Sequence, residues 1–273
     1  MLPVIQYKER VNLIQKVRLI HALTESDFQV DISEAEFPKF ELLNLKFNIP
    51  LVRGNTEGFD ITPFIKLLHA EPSTCMGNLL RPLIFPQAIT RYCRSLWRQR
   101  RRYRFTFTGL ITPQRRELIT HWTETELKQS AVQLPNGNNF SSKVLRHLRM
   151  DDTQKKEIGE LLIWFSRKGR KYPIKAWDEE YYRILANSQF VLCPNGDYVW
   201  SYRFFEAILC GAMPIVQDEC PVYKGFRYLN FNQSITDIKW SADDAEYNYR
   251  LCVEKITVPL EELNAELRRL SIV

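Results

Sequence analysis

The chain has 273 residues, 45% of them hydrophobic and 26% charged, enough to bury one large core or two modest ones but not three. No stretch approaches the ~18 uninterrupted apolar residues of a membrane span, and the charged start MLPVIQYKER is unlike a secretory leader, so a cytoplasmic protein is expected. The net charge of +6 is too small to specify a polyanion partner by itself.

Helical apolar spacing marks residues 1 to 25 through Val11, Ile14, Val17 and Ile20, and extended pieces are predicted around Phe28 to Ile32 and Leu42 to Val52. Pro63 is placed to open a helix through Ile65 and Leu68, and Ala88 to Arg101 reads as another. From Arg104 the rhythm becomes strand then helix: RFTFTGLIT is followed by PQRRELITHWTE, with Leu118, Ile119 and Trp122 on one helical face. A turn-rich stretch, Pro135 to Ser142, follows, with Ser141 or Ser142 placed to cap a short helix, and ELLIWFSRKGRKYP runs to Gly169 and Pro173. Asp178 then caps EEYYRILANS, FVLCP is an apolar strand, SYRFFEAILCG is a helix ended by Gly211, and AMPIVQD is another strand. FRYLNF adds a strand, and a last helix is expected over Asp244 to Leu270.

Strands apolar on both faces and alternating with amphipathic helices predict a parallel sheet covered on both sides, with ligands at the carboxyl ends of its strands. Yet the ten glycines form neither the dinucleotide fingerprint nor a P-loop. The six cysteines lack the paired spacing of zinc or disulfide scaffolds and read as reduced core residues. Arg94, Arg98, Arg100, Arg101, Arg102 and Arg104, interleaved with Trp97 and Tyr103, form a basic patch, either a solvated face or a site for polyanions. No nucleic-acid motif accompanies it, and nucleic acid is not expected as a partner.

Residues 188 to 218 hold the densest chemistry. The strand ends at a Pro-Asn-Gly turn containing Gly196, and Ser201 is placed to cap a helix whose free amides suit an anion. Arg203 adds a fork of donors for phosphate, and Glu206 offers two acceptors to a ribose diol. A surface ion pair between Arg203 and Glu206 is the alternative.

FVLCPNG with SYRFFEAILCGAMPIVQD, preceded by YYRILANS and, upstream, by RYRFTFTGLITPQRREL, closely resembles the exostosin-like glycosyltransferases of family 47. The resemblance spans about residues 100 to 230. It implies an α/β, GT-B-like fold of two Rossmann-like domains across a cleft: a shortened amino-terminal α/β acceptor-side domain over 1–98, a donor-binding domain over 99–243, and a carboxyl-terminal helix over 244–273 packing back on the first domain. It implies a nucleoside-diphosphate sugar donor, a UDP-sugar, with Gly109 giving close approach at a strand tip and Gly196 in the turn of the donor site. Arg115 or Arg116, Ser201 and Arg203 would face the diphosphate, and Glu206 would hold the ribose. Consecutive Arg115 and Arg116 cannot share a helix face.

The activity so implied is sugar transfer to a glycan or lipid-linked acceptor in cell-surface polysaccharide synthesis, with no metal and no separate cofactor. The position eight before Glu206, acidic in the retaining pattern, is Tyr198, which points to inversion. Asp60 in RGNTEGFD is the leading candidate base, ahead of Glu57 and His69. Contact with the inner face of a membrane through the arginine patch is a further expectation. The alternatives are a non-catalytic nucleotide- or sugar-binding partner of a larger synthase, or a polyanion-binding module built on Arg94 to Arg104.

Overall fold

A computed structural model of the chain describes residues 2–54, 57–129, 134, 154–166 and 168–272. The expected cap at Ser141 or Ser142 lies outside them. Chain contacts divide the protein into two units: Met1–Tyr92, Tyr172–Asp178 and Cys252–Val273 form unit 1, and Cys93–Lys171 and Glu179–Leu251 form unit 2.

Unit 1 begins with a strand where a helix was expected. In β1 (Val4–Tyr7) alternate residues are buried, and the helical period takes hold only in α1 (Ile14–Leu23), after the charged run at Lys8 to Arg10. β1 pairs in parallel with β2 (Gln29–Ile32), and β2 with β3 (Leu51–Arg53). Part of the expected extended piece is helical: α2 (Glu41–Phe47) ends at Asn48, whose φ of 49° is left-handed, a conformation asparagine tolerates. β4 (Phe59–Asp60) pairs with the other side of β1, giving the parallel order β3-β2-β1-β4. Pro63 opens a single 3₁₀ turn, Thr62–Phe64, and no helix follows. Ile65–Leu68 is instead the strand β5, antiparallel to β6 (Ser73–Met76), which pairs with β7 (Leu79–Arg81); the amides of IKLL are taken by a ladder in place of helical bonds.

Unit 2 follows the predicted rhythm. Its strands are β8 (Tyr103–Thr108), β9 (Gln154–Ile158), β10 (Leu161–Phe165), β11 (Ser188–Cys193), β12 (Met213–Val216) and β13 (Leu229–Asn230). They order as β13-β12-β11-β8-β10-β9, parallel except for β9 at one edge. Phe105, Phe107, Ile163, Phe190, Leu192 and Ile215 point one side of this sheet into a core closed by Ile119 and Trp122 of α4 (Pro113–Thr125). Each such side chain adds roughly 1.5–3 kcal/mol by leaving water.

Helix α3 (Gln87–Ser95) stops six residues before Arg101, while α5 (Glu179–Ala186) and α6 (Tyr202–Leu209) fall where expected. Gly211 has φ of +74°, so the turn from α6 into β12 needs its missing Cβ. The single last helix is two, α7 (Ala242–Ile256) and α8 (Leu260–Leu270), because Pro259 at the boundary cannot extend an α-helix. The cysteines are all free, four of them buried. Among the described residues no helix is long and apolar enough to cross a membrane.

Candidate functional site

Both parallel sheets reverse direction of winding at a definable point. In unit 2 the chain moves from β8 outward to β10, then crosses back to β11 on the other side of β8. The β8/β11 boundary is therefore the topological switch point, where loops leave the strand ends in opposite directions and open a crevice. In unit 1 the corresponding boundary lies between β1 and β4.

The β8/β11 crevice collects most of the residues nominated from sequence. Gly109 follows β8 with φ of +132°, and a Cβ there would sit 2.5 Å from Arg203 Nη2. Gly109 thus makes room for a guanidinium, which is more specific than the close approach expected of it. Thr112 caps α4 by accepting the Arg115 amide at 3.3 Å, which puts the Arg115 side chain over the strand tips. There it donates to Asn195 O at 2.8 Å and Leu110 O at 3.1 Å. Gly196 is its counterpart, since a Cβ at that position would lie 2.8 Å from Arg115 Nη2. Arg116 turns the other way and donates to Leu134 O at 3.0 Å, so of the two consecutive arginines only Arg115 reaches the strand tips.

On the β11 side, Ser201 occupies the cap position of α6, but its hydroxyl makes no capping bond. This corrects the expected cap: the Ser201 amide donates to Tyr223 Oη at 2.9 Å, and the Ser201 side chain is engaged with the same phenol. Arg203 Nε and Nη1 and Thr108 Oγ1 are buried without a hydrogen-bond partner. The Arg203 guanidinium lies 4.8 Å from the centre of the Phe107 ring. Three orphaned polar atoms, two of them on the Arg203 guanidinium beside a helix amino terminus, fit an anionic group that accepts hydrogen bonds.

Electrostatics agree. Burial, then the nearby charges of Arg203 and Arg170, push the Arg115 pKa down to about 10, so the site stays cationic at neutral pH yet strains against its own charge. Arg170, just beyond the end of β10, escaped the sequence reading because ELLIWFSRKGRKYP was not resolved into a strand and a following turn. Cys193 at the end of β11 is pushed up to about 12 by burial and remains a neutral thiol. Glu206, one turn into α6, is 7% exposed and accepts from Tyr181 Oη at 2.7 Å and Tyr182 Oη at 2.8 Å. A cavity of about 940 Å³ beside β13, lined in part by Tyr223, Arg227 and Tyr228, includes none of the nominated residues.

Asp60 belongs to unit 1, at the end of β4 on its switch point. It accepts from the Thr62 amide at 3.0 Å and pairs with Lys8 at 3.1 Å. Burial raises its pKa, but Thr62 and Lys8 outweigh that and leave the carboxyl below its ordinary range. His69 Nδ1 is bonded to Gln15 Oε1 at 2.8 Å.

The arginine patch is largely absorbed by the fold. Arg101 is buried against backbone carbonyls, Arg94 pairs with Glu246 at 2.7 Å, Arg102 with Glu157 at 3.7 Å and Arg104 with Glu160 at 2.6 Å. Acids interleaved in this way dilute the field of the patch.

The exostosin GT47 domain family matches residues 52–224. The chain is also similar to crystal structures of Anabaena HepE. The complex with UDP-glucose is 10% identical with a TM-score of 0.50, and the complex with UDP is 9% identical with a TM-score of 0.52. Each likeness covers 99% of this chain and 100% of the other, and at that identity it establishes the α/β, GT-B-like fold. No curated protein matches the chain. With the family matched over more than half of its length, the chain belongs to the exostosin GT47 family and is a glycosyltransferase.

Proposed function

We propose that the protein transfers a sugar from a UDP-sugar to a hydroxyl of a glycan or lipid-linked acceptor, with inversion, in cell-surface polysaccharide synthesis. The observation that carries this reading is the pair of orphaned donors at the β8/β11 switch point, Arg203 Nε and Nη1. The HepE complexes contain UDP and UDP-glucose, ligands whose diphosphate such donors suit. Arg203, Arg115 and the start of α6 then hold the diphosphate, and Glu206 holds the ribose. As the acceptor oxygen bonds to the anomeric carbon, the bond to the diphosphate oxygen breaks, and the two guanidiniums offset the charge that develops there. That cationic pair is the basis for a reaction that does not depend on a divalent ion. A cytoplasmic location, with peripheral contact at the inner membrane face, belongs to the same proposal; Arg98 and Arg100 are the exposed remainder of the patch.

Titration calorimetry with UDP, GDP and ADP tests the donor class. UDP is expected to bind and, through linkage, to raise the melting temperature with ligand concentration; a protein that binds no nucleoside diphosphate overturns the reading. Asp60 is proposed to take the acceptor proton. Its lowered pKa keeps it ionised at neutral pH, at some cost in basicity. Asp60→Asn is expected to lower kcat by about 10²- to 10⁴-fold, the usual share of general-base catalysis, with UDP affinity unchanged. Turnover within a few-fold of wild type assigns Asp60 to its bonds with Thr62 and Lys8 alone.

A further inference from the structure

The carboxylate of Glu206 is held from both sides by consecutive residues of α5. Tyr181 donates to Oε2 at 2.7 Å and Tyr182 to Oε1 at 2.8 Å, although neighbouring residues on a helix diverge by about 100°. Their rings meet edge to face, 5.2 Å between centres, and Tyr181 also lies 6.4 Å from Trp164 of β10. One donor would leave the carboxylate free to pivot about a single bond; two donors on different oxygens fix its plane. Glu206 is 7% exposed and Tyr182 1%, so the arrangement is built into the packing of α5 on α6.

We infer that Tyr181 and Tyr182 are positioning residues, which hold the Glu206 carboxylate oriented as the acceptor for the vicinal hydroxyls of the donor's ribose. The inference rests on the proposed role of Glu206. Each phenol donates to a different oxygen, so the direction in which the carboxylate presents its acceptors is set. Burial and the charge of Glu206 hold the Tyr181 phenol well above its ordinary pKa, so its proton stays in place wherever the protein is folded.

The test compares affinities of UDP and 2′-deoxy-UDP, which differ by one of the two hydroxyls. Wild type is expected to prefer UDP by about tenfold or more, the range of a hydrogen bond to a charged group. In Tyr181→Phe, Tyr182→Phe and the double variant, that preference is expected to shrink to about twofold or threefold, while 2′-deoxy-UDP affinity, an internal measure of an intact site, stays within about twofold. Glu206→Gln is the reference. A wild type without the preference removes the role of Glu206 and the inference with it. A preference lost in Glu206→Gln but retained in the tyrosine variants overturns the positioning role alone. Equal loss of both affinities in the tyrosine variants shows that the phenols only tie the helices together, and also overturns it.

Discussion

Arg203→Ala is expected to weaken UDP binding by about 10- to 100-fold, the share of one charge-assisted contact with a diphosphate, without lowering the melting temperature of the free protein. Both halves follow from the same geometry. Arg203 Nε and Nη1 are buried and unpartnered, and after burial its charge does most to lower the Arg115 pKa. Removing the side chain therefore takes away a group that the folded chain does not satisfy, and relieves Arg115. Arg203→Lys is expected to recover little, because a single ammonium cannot reproduce the guanidinium fork. Gly109→Ala supplies an independent arm: a Cβ 2.5 Å from Nη2 and a φ of +132° force the guanidinium to move. If the two changes act through one contact, the double variant loses little more than either alone. Calorimetry decides the matter, and an unchanged UDP affinity in Arg203→Ala excludes Arg203 from the donor site.

What could be read from the chain, and what could not, divides along the range of the interactions concerned. The β11-α6-β12 segment was legible because its signals are local: an apolar run, a turn at Gly196, helical spacing through Phe204 and Phe205, and Gly211 closing the helix. The structure brings Gly109, Arg115, Gly196 and Arg203 together at one crevice, but these couplings carry no local signal. Gly109 faces a guanidinium from 94 positions further along the chain, and Tyr181 reaches Glu206 across 25; neither spacing has a periodic signature. Unit 1 was read poorly for a related reason. β1 and β4 are short, at Val4–Tyr7 and Phe59–Asp60, and such brief strands exist only through their neighbours, because four residues of alternation do not outweigh adjacent helical spacing. The arginine patch is the opposite case. A run of like charges is conspicuous in sequence, whereas Glu157, Glu160 and Glu246, which answer it, are scattered along the chain.

Arg101→Ala is expected to destabilise the protein by about 3–5 kcal/mol, the cost of stranding several buried acceptors together with lost packing. Arg101 is 8% exposed. Its Nη1 donates to Ala186 O at 3.0 Å, Ser188 O at 2.9 Å and Cys210 O at 3.1 Å. These carbonyls mark the end of α5, the start of β11 and the end of α6, and the last carbonyls of a helix have no intrahelical donor. A cation there also meets the negative end of each helix dipole. The indole nitrogens of Trp97 and Trp240 complete the cap, donating to Leu209 O at 2.9 Å and Gly211 O at 3.0 Å. Gly211 has no Cβ that would collide with the Arg101 guanidinium, 2.5 Å from where it would stand. Urea denaturation should show a fall in midpoint, and Arg101→Lys an intermediate one, since its charge persists while its reach to three oxygens does not. A loss below about 1 kcal/mol would show that water replaces the guanidinium at these carbonyls. The consequence for function comes through α6, whose other end carries Ser201, Arg203 and Glu206. A helix fastened at its carboxyl terminus by Arg101 can hold unsatisfied donors at its amino terminus without shifting to satisfy them. UDP affinity measured under native conditions should therefore fall in Arg101→Ala although the residue belongs to the opposite end of the helix.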